Sequence, residues 1–287
     1  MTADMKVNAY AKINLFLDIT GVMPNGYHSL NNIMQQIELH DEIRVSVSQG
    51  NGIEITCDNK DIPTDKRNIA YKAAAIFSET TKRSFKINVD IKKNIPVMAG
   101  LGGSSTDGAA VLTALNRIYN EPLSKTELEN LGASLGADAP FCIRGNAAFC
   151  QGIGEKMTDI DGLRDCYILI IKPDFSRNTA KAYKLYDLSP LECKPEPKKL
   201  ISAMKENDLI QTGKLLYNIF EPLYNEKKIE KIKNDLQNSN ALGALLSGSG
   251  SAVYGLFEKK EDALSASKRL NYPFVLLTKP VFSLEKK

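Results

Sequence analysis

Three groups of residues in this chain are of types that could do chemistry. The first is Pro96-Val-Met-Ala-Gly-Leu-Gly-Gly-Ser-Ser-Thr-Asp-Gly-Ala-Ala110. Gly100, Gly102 and Gly103 permit positive φ and close backbone approach, and Ser104, Ser105 and Thr106 add short donors, a combination suited to holding phosphate. Ala109, Ala110, Leu112, Leu115 and Ile118 follow at helical spacing, so the positive end of a helix and its free N–H groups would face the turn. The alternative is a tight helix-entry turn capped by Thr106 or Asp107. No lysine follows the glycines, as a Walker A loop requires, and Ser105 stands where the dinucleotide fingerprint has its third glycine. His-Arg-Asp and Asp-Phe-Gly, landmarks of protein kinases, are absent.

The second group is Lys12 with Asn14, an ammonium and an amide two residues apart. The third is Asp138, in Gly136-Ala-Asp-Ala-Pro140. It follows the end of a helix, where the dipole disfavours negative charge, so capping does not explain it. A second glycine and serine loop lies at Ser247-Gly-Ser-Gly-Ser251.

The elements that must position these residues are legible in part. Val7, Ala9, Ala11, Ile13, Leu15, Leu17 and Ile19 alternate with Lys6, Asn8, Tyr10, Lys12, Asn14 and Asp18, which predicts a half-buried strand over 6–19. Gly21 to His28, with Pro24-Asn-Gly26, reads as a turn-rich loop before a second apolar stretch ending near His40. Ile43 to Val47 and Ile53 to Cys57 flank Gln49-Gly-Asn-Gly52 and read as a hairpin. Asn68 to Phe77 has helical spacing, and Phe85, Ile87, Val89 and Ile91 alternate as a strand feeding the first loop. Ser124 and Glu127 form a capping box before a helix with Leu128, Leu131 and Leu135 that stops at Gly136. Ile168 to Ile171 is a strand ending at Pro173. Residues 188–198, with Pro190, Pro195 and Pro197, read as an irregular connection. Helices are expected around Leu209 to Phe220 and Ile229 to Leu236. Two apolar segments flank the second loop within Ala244 to Phe257, then a charged helix from Glu258 and a strand near Phe274 to Leu277. Without regular βαβ alternation this is an α+β protein, split somewhere around residue 160.

Composition sets the remaining bounds. A chain of 287 residues can bury a substantial core and make two domains. Its 37 basic and 34 acidic residues leave a net charge of +3, which argues against a nucleic-acid surface. Five cysteines, at 57, 142, 150, 166 and 193, form no Cys-x-x-Cys pair, and with only His28 and His40 a structural zinc site is not expected. Free thiols in a reducing compartment, no apolar signal core and only strand-sized apolar runs lead us to expect a cytoplasmic protein with no membrane partner.

In their order and distances, the strand face with Lys12 and Asn14, the loop from Pro96 and the loop Ser247–Ser251 resemble the three motifs of the GHMP kinases, along nearly the whole chain. Ala11-Lys-Ile-Asn-Leu-Phe-Leu17 with Gly26-Tyr-His28, and Gly136-Ala-Asp-Ala-Pro-Phe141, are similar to the branch that phosphorylates 4-diphosphocytidyl-2-C-methyl-D-erythritol on its C2 hydroxyl, in non-mevalonate isoprenoid synthesis. The resemblance implies a two-domain α+β fold: residues 1–160 as an ATP-binding domain like domain 2 of ribosomal protein S5, and residues 161–287 as a ferredoxin-like α+β domain contributing to substrate binding. It makes Lys12 and Asp138 catalytic, with Asp138 taking the acceptor proton and Lys12 keeping it ionised. It assigns ATP to Asn68, which would contact adenine, Lys93, Pro96, Gly100, Leu101, Gly102, Gly103, Ser104, Ser105 and Thr106. Asn14, Tyr27, His28, Asp138, Thr179 and Tyr183 would bind a substrate carrying a cytidine diphosphate group, with Tyr27 and Tyr183 sandwiching cytosine and His28 bonding its edge. Mg2+ would accompany ATP, bound mostly by phosphate and water with one serine, for which Ser105 is the candidate, or Asp138; Ser104 stands where the family pattern has a third glycine, which leaves open which hydroxyl meets the metal. Tyr183 stands where that pattern has phenylalanine. A monomer or weak homodimer is expected. The alternatives are a GHMP kinase for homoserine, mevalonate or a sugar, or a non-catalytic nucleotide-binding protein on the same fold.

Overall fold

A computed structural model describes residues 2–24, 26–189, 195–224 and 226–282. Asn25 of the turn-rich loop, Pro190 of the proline-bearing connection and Cys193 lie outside the described residues. In chain order the elements are β1 (Ala3–Val22), β2 (His28–Ser48), β3 (Gly52–Cys57), α1 (Ile69–Thr81), β4 (Lys86–Lys92), α2 (Gly103–Ile118), α3 (Lys125–Ala133), α4 (Ala139–Arg144), β5 (Ala147–Gly152) and β6 (Lys156–Asp159). They continue with β7 (Tyr167–Lys172), α5 (Thr179–Leu188), α6 (Pro197–Lys205), α7 (Leu209–Leu215), β8 (Tyr217–Asn218), α8 (Lys227–Gln237), β9 (Gly243–Leu246), β10 (Val253–Phe257), α9 (Lys260–Arg269) and β11 (Phe274–Thr278).

Two compact units interleave along the chain, where the sequence suggested one cut near residue 160. Unit one is Met1–Ala11, Leu39–Ile95 and Gly102–Gly145; unit two is Lys12–Glu38, Pro96–Leu101 and Asn146–Lys287. Strands β1 and β2, of 20 and 21 residues, each run through both.

In unit one, β2 pairs antiparallel with β4 from Glu42↔Lys92 to Ser48↔Lys86. β3 pairs parallel with β4 from Gly52↔Lys86 to Cys57↔Ile91. The expected hairpin is therefore corrected: β4 lies between its two arms. Helix α1 carries the chain over from β3 so that β4, with Ile87, Val89 and Ile91 pointing into the core, fills the gap as the ladder partner of both. Ile43, Val45 and Val47 of β2 meet Ala70, Ala73, Ala74 and Phe77 of α1 and Val111, Leu112 and Leu115 of α2 in one apolar cluster. The two helices approach closely because residue 108 is glycine; a Cβ there would stand 2.6 Å from Ile69 Cγ2. The capping box of α3 is present, Ser124 accepting from the Glu127 N–H and Glu127 reaching back.

In unit two, β5 pairs antiparallel with β2 from Leu30↔Gly152 to Gln35↔Ala147, and β6 with β5; neither strand was anticipated. Tyr217 and Asn218 pair in parallel with Phe16 and Leu17 of β1, so the helix expected over Leu209 to Phe220 stops at Leu215. A second sheet runs β11-β7-β10-β9, all antiparallel. With α8 preceding β9 and α9 between β10 and β11, this is the order of a ferredoxin-like split βαβ arrangement. Leu169, Ile171, Leu246, Val253 and Phe257 of the sheet pack with Ile229, Ile232 and Leu236 of α8 and Ala263 and Ala266 of α9. α6 begins at Pro197, inside the stretch expected to be irregular.

The half-buried reading of β1 also needs correction. Exposure alternates only over Ala3–Asn8, and Ala9–Ile19 are buried on both faces except half-buried Tyr10. Lys12 is 4 % exposed, Asn14 2 % and Asp18 7 %. A buried ammonium or amide is tolerated only when hydrogen-bonded, so these residues demand partners.

Candidate functional site

Unit one supplies the start of α2. Gly102 adopts φ +75° as its N-cap, with no side-chain capping bond, so the first-turn N–H groups at Gly103, Ser104 and Ser105 have no partner within the helix. Ser104 is exposed and Ser105 half-buried. Thr106 is turned inward, its hydroxyl donating to the Tyr10 carbonyl at 2.8 Å. Of the three hydroxyls, that of Thr106 thus fastens the helix to β1.

Beneath this turn lies a buried ionic triad. Lys93 Nζ donates to Asp107 Oδ2 at 2.7 Å and to Asp41 Oδ2, and Asp41 Oδ1 accepts from the N–H groups of Asn94 (2.6 Å) and Ile95 (2.8 Å). Burial opposes charge on Lys93, but the two carboxylates outweigh it and raise its pKa. Burial and the neighbouring Asp41 push the Asp107 carboxyl up against the pull of Lys93. A Cβ on Gly103 would stand 3.5 Å from Lys93 Nζ and 3.2 Å from Ile95 Cγ2. Lys93 therefore sits against the first turn of α2, with its ammonium held by the two aspartates.

Asn68 caps α1: its Oδ1 accepts from the Ala70 N–H at 2.8 Å and its Nδ2 donates to Pro63 O at 2.7 Å. Asp138 is not a post-helix loop residue, as expected, but the N-cap position of α4, with no side-chain capping bond. The six-residue helix escaped notice because Pro140 opens it and only Ala139, Pro140 and Phe141 are buried. A Cβ on Gly136 would lie 3.5 Å from Ser105 Oγ. The Gly136–Asp138 turn therefore packs beside the open end of α2.

Unit two holds Lys12, whose Nζ donates to Asn14 Oδ1 at 2.7 Å while Asn14 Nδ2 donates to Asn32 Oδ1 at 2.8 Å. Lys12 N–H donates to Leu101 O at 3.0 Å, tying β1 to the first glycine loop. The second loop is the β9–β10 turn. A Cβ on Gly248 would stand 3.3 Å from Asn14 Oδ1, and a Cβ on Gly100 2.0 Å from Ser247 O. Ser247 Oγ donates to Gly100 O at 2.9 Å and Ala252 N to Ala99 O at 3.0 Å. Asn218 Nδ2 donates to both Leu246 O and Gly248 O at 2.8 Å. Thr179 Oγ1 lies 3.0 Å from Ser249 Oγ.

Unit two also carries an aromatic group. His28 lies 4.8 Å from Tyr183 and 6.0 Å from Tyr186 between ring centroids, and Tyr183 meets Phe220 edge-on at 5.1 Å. Tyr27 is 61 % exposed. His28 Nε2 stands 2.7 Å from Asp187 Oδ1. Nearby in sequence to Asn14, Asp18 has one carboxylate oxygen with no hydrogen-bond partner, and burial pushes its pKa up to about 6.

Unit one thus brings together Gly102 to Thr106, Lys93 and the Asp138 turn, while Asn68 caps a neighbouring helix. Unit two brings together Lys12, Asn14, Ala99 to Leu101 and Thr179 around the second loop, and His28 with Tyr183; Pro96 opens the first loop and takes part in none of these contacts. Sequence reasoning missed Asp41, Asn32, Asn218 and Asp187. Each is a polar residue whose partner lies far along the chain, and none carried a local signal; Asn32, for one, stands in a strand that also holds Asn31, Gln35 and Gln36. Among the described residues no three His, Cys, Asp or Glu side chains cluster to hold a metal ion.

The chain matches the models of the GHMP kinases N terminal domain over residues 68–146 and of the GHMP kinases C terminal domain over residues 191–276. It is 44 % identical over 266 residues to a 4-diphosphocytidyl-2-C-methyl-D-erythritol kinase of Clostridium botulinum (strain Alaska E43 / Type E3), covering 92 % of this chain and 94 % of that one. The protein of the same name from Caldicellulosiruptor bescii is 41 % identical over 268 residues, covering 93 % and 94 %. A crystal structure of 4-(cytidine 5'-diphospho)-2C-methyl-D-erythritol kinase superposes with a TM-score of 0.83 at 26 % identity over 97 % of this chain and all of that one. Mevalonate kinase of Methanococcus jannaschii superposes at 0.76 with 17 % identity, covering 98 % of this chain and 99 % of that one, which is a likeness of fold.

Proposed function

Since the chain belongs to the GHMP kinases and, within them, to the 4-diphosphocytidyl-2-C-methyl-D-erythritol kinases, we infer that it transfers the γ-phosphate of ATP to the C2 hydroxyl of that substrate. The products are the 2-phosphate and ADP, in non-mevalonate isoprenoid synthesis. The observation that carries a kinase mechanism is the packing of the Gly136–Asp138 turn beside the uncapped start of α2. A carboxylate-bearing turn beside a helix end with unpartnered N–H groups supports that reading.

The N–H groups of Gly103 to Ser105 and the α2 dipole bind phosphate oxygens. Gly100, Leu101 and Pro96 shape the backbone leading to them. Asp138 orients the acceptor hydroxyl and takes its proton as the phosphoryl group departs from ADP. An alcohol is far less acidic than a carboxylic acid, so proton transfer accompanies a loose transition state rather than preceding it. Such a base contributes about 10² to 10⁴-fold in rate. Lys12 supplies positive charge to the transferring group. Asn14 and Thr179 bond the acceptor, Tyr27 and Tyr183 stack on cytosine, and His28 bonds its edge. Each stacked base is worth about 1–3 kcal/mol.

Mg2+ keeps several waters and takes few protein ligands beside nucleotide phosphates, which fits a chain whose described residues hold no cluster of acidic ligands. The half-buried Ser105 hydroxyl in the first turn of α2 is the residue that would hold it. When bound, the ion neutralises phosphate charge. Lys93, its ammonium held by Asp41 and Asp107, braces the first turn of α2 from beneath.

A coupled assay for ADP with ATP and the cytidine diphosphate acceptor tests this reading. Turnover is expected to require the cytidine diphosphate group and to fall about 10² to 10⁴-fold in kcat for Asp138→Asn. Equal turnover of acceptors lacking that group, or an unimpaired Asp138→Asn enzyme, overturns it.

A further inference from the structure

We propose that Asp187 makes this site read cytosine and reject uracil, by holding the proton of His28 on Nε2. The inference rests on the assignment of the cytosine edge to His28. A carboxylate only accepts hydrogen bonds, so at 2.7 Å from Asp187 Oδ1 the Nε2 atom of His28 carries a proton and donates it. In the neutral ring Nδ1 is then left as a lone-pair acceptor. Nδ1 as an acceptor matches the exocyclic amino group of cytosine, a donor. Uracil presents a carbonyl oxygen there, and two lone pairs would face each other. A polar site built for one partner rejects the analogue that leaves its group unpaired.

The surroundings support this assignment. The His28 side chain is 11 % exposed and is flanked by the rings of Tyr183 and Tyr186, which restrict its rotation. Asp187 is the second-last residue of α5. Negative charge in the last turn opposes the helix dipole, so its place there does not serve the helix. What it does serve is the hydrogen bond to His28. The carboxylate is about half exposed, so replacing it creates no cavity.

The test compares cytidine and uridine diphosphates as probes, by calorimetric binding and as the diphosphonucleoside group of the acceptor, in the full chain and in Asp187→Ala, Asp187→Asn and His28→Ala. Discrimination between the two is expected to fall at least tenfold in Asp187→Ala, with the change in the acceptor KM rather than in the KM for ATP. Asp187→Asn, whose amide can serve either tautomer, should fall between. The chain has two histidines, so 15N spectra of the imidazoles report His28 directly. They should show the Nε2–H form in the parent and a mixture in Asp187→Ala. Full discrimination in Asp187→Ala, with discrimination lost in His28→Ala, overturns the role of Asp187 and leaves the cytosine assignment standing. Unchanged binding of cytidine diphosphate in His28→Ala overturns that assignment itself.

Discussion

The two glycine and serine loops have nearly the same composition and opposite uses. The loop from Pro96 ends on a helix whose N-cap makes no side-chain bond, so it leaves backbone donors available. The loop from Ser247 closes a β-hairpin, and its groups are engaged by protein: Ser247 Oγ on Gly100 O, Gly248 O by Asn218, Ser249 Oγ by Thr179 and Ser251 Oγ on Phe175 O. One loop leaves backbone N–H groups without partners in the helix, and the other holds the first in shape. Composition alone does not tell the two apart; what separates them is the element that follows.

Gly100→Ala would break the contrast most severely. Residue 100 has φ +78°, and a Cβ would stand 2.0 Å from Ser247 O. Strain and overpacking together should cost about 3 kcal/mol or more, read as a lower denaturant midpoint and as lost activity. Asn218→Ala comes next, because one buried side chain serves Leu246 O, Gly248 O and the Phe220 N–H. A loss of about 2–3 kcal/mol in stability is expected, with activity recovering on cooling if the hairpin alone is loosened. The smallest and sharpest comparison pairs Ser247→Ala with Ser104→Ala. The first should lower stability by about 1 kcal/mol and leave the KM for ATP nearly unchanged. The exposed Ser104 should show the reverse, stability within about 0.5 kcal/mol and a raised KM. If both variants changed the same quantity, the division of labour between the loops would be wrong.

Elements whose signal is local were legible. The alternation of β1, the helix behind the first loop and the capping box at Ser124 and Glu127 each depend on residues within a few positions of one another. Features decided at long range were not. Ile43 to Val47 and Ile53 to Cys57 looked like partners because nothing in either segment announces that β4 will stand between them. Leu209 to Phe220 kept helical spacing past Leu215, but pairing of Tyr217 and Asn218 with β1 ends the helix. For the candidate site, the positive φ of Gly100 and Gly102 in the first loop was readable from glycine placement. The partners that fix side chains, Asp41 for Lys93, Asn32 for Asn14 and Asp187 for His28, are 52, 18 and 159 residues away. No periodicity links them. Burial of Lys12 was equally hidden, since a strand with one polar face reads as half-exposed until a second layer covers it.

The stitching of Ala99 and Gly100 to Ser247 and Ala252 is made entirely of protein atoms. Fixing one residue's backbone costs about 1–2 kcal/mol in conformational entropy, and for this stretch folding has already met that cost. Nucleotide association at this loop should therefore show little ordering entropy and a rate set by diffusion and charge rather than by a gating motion.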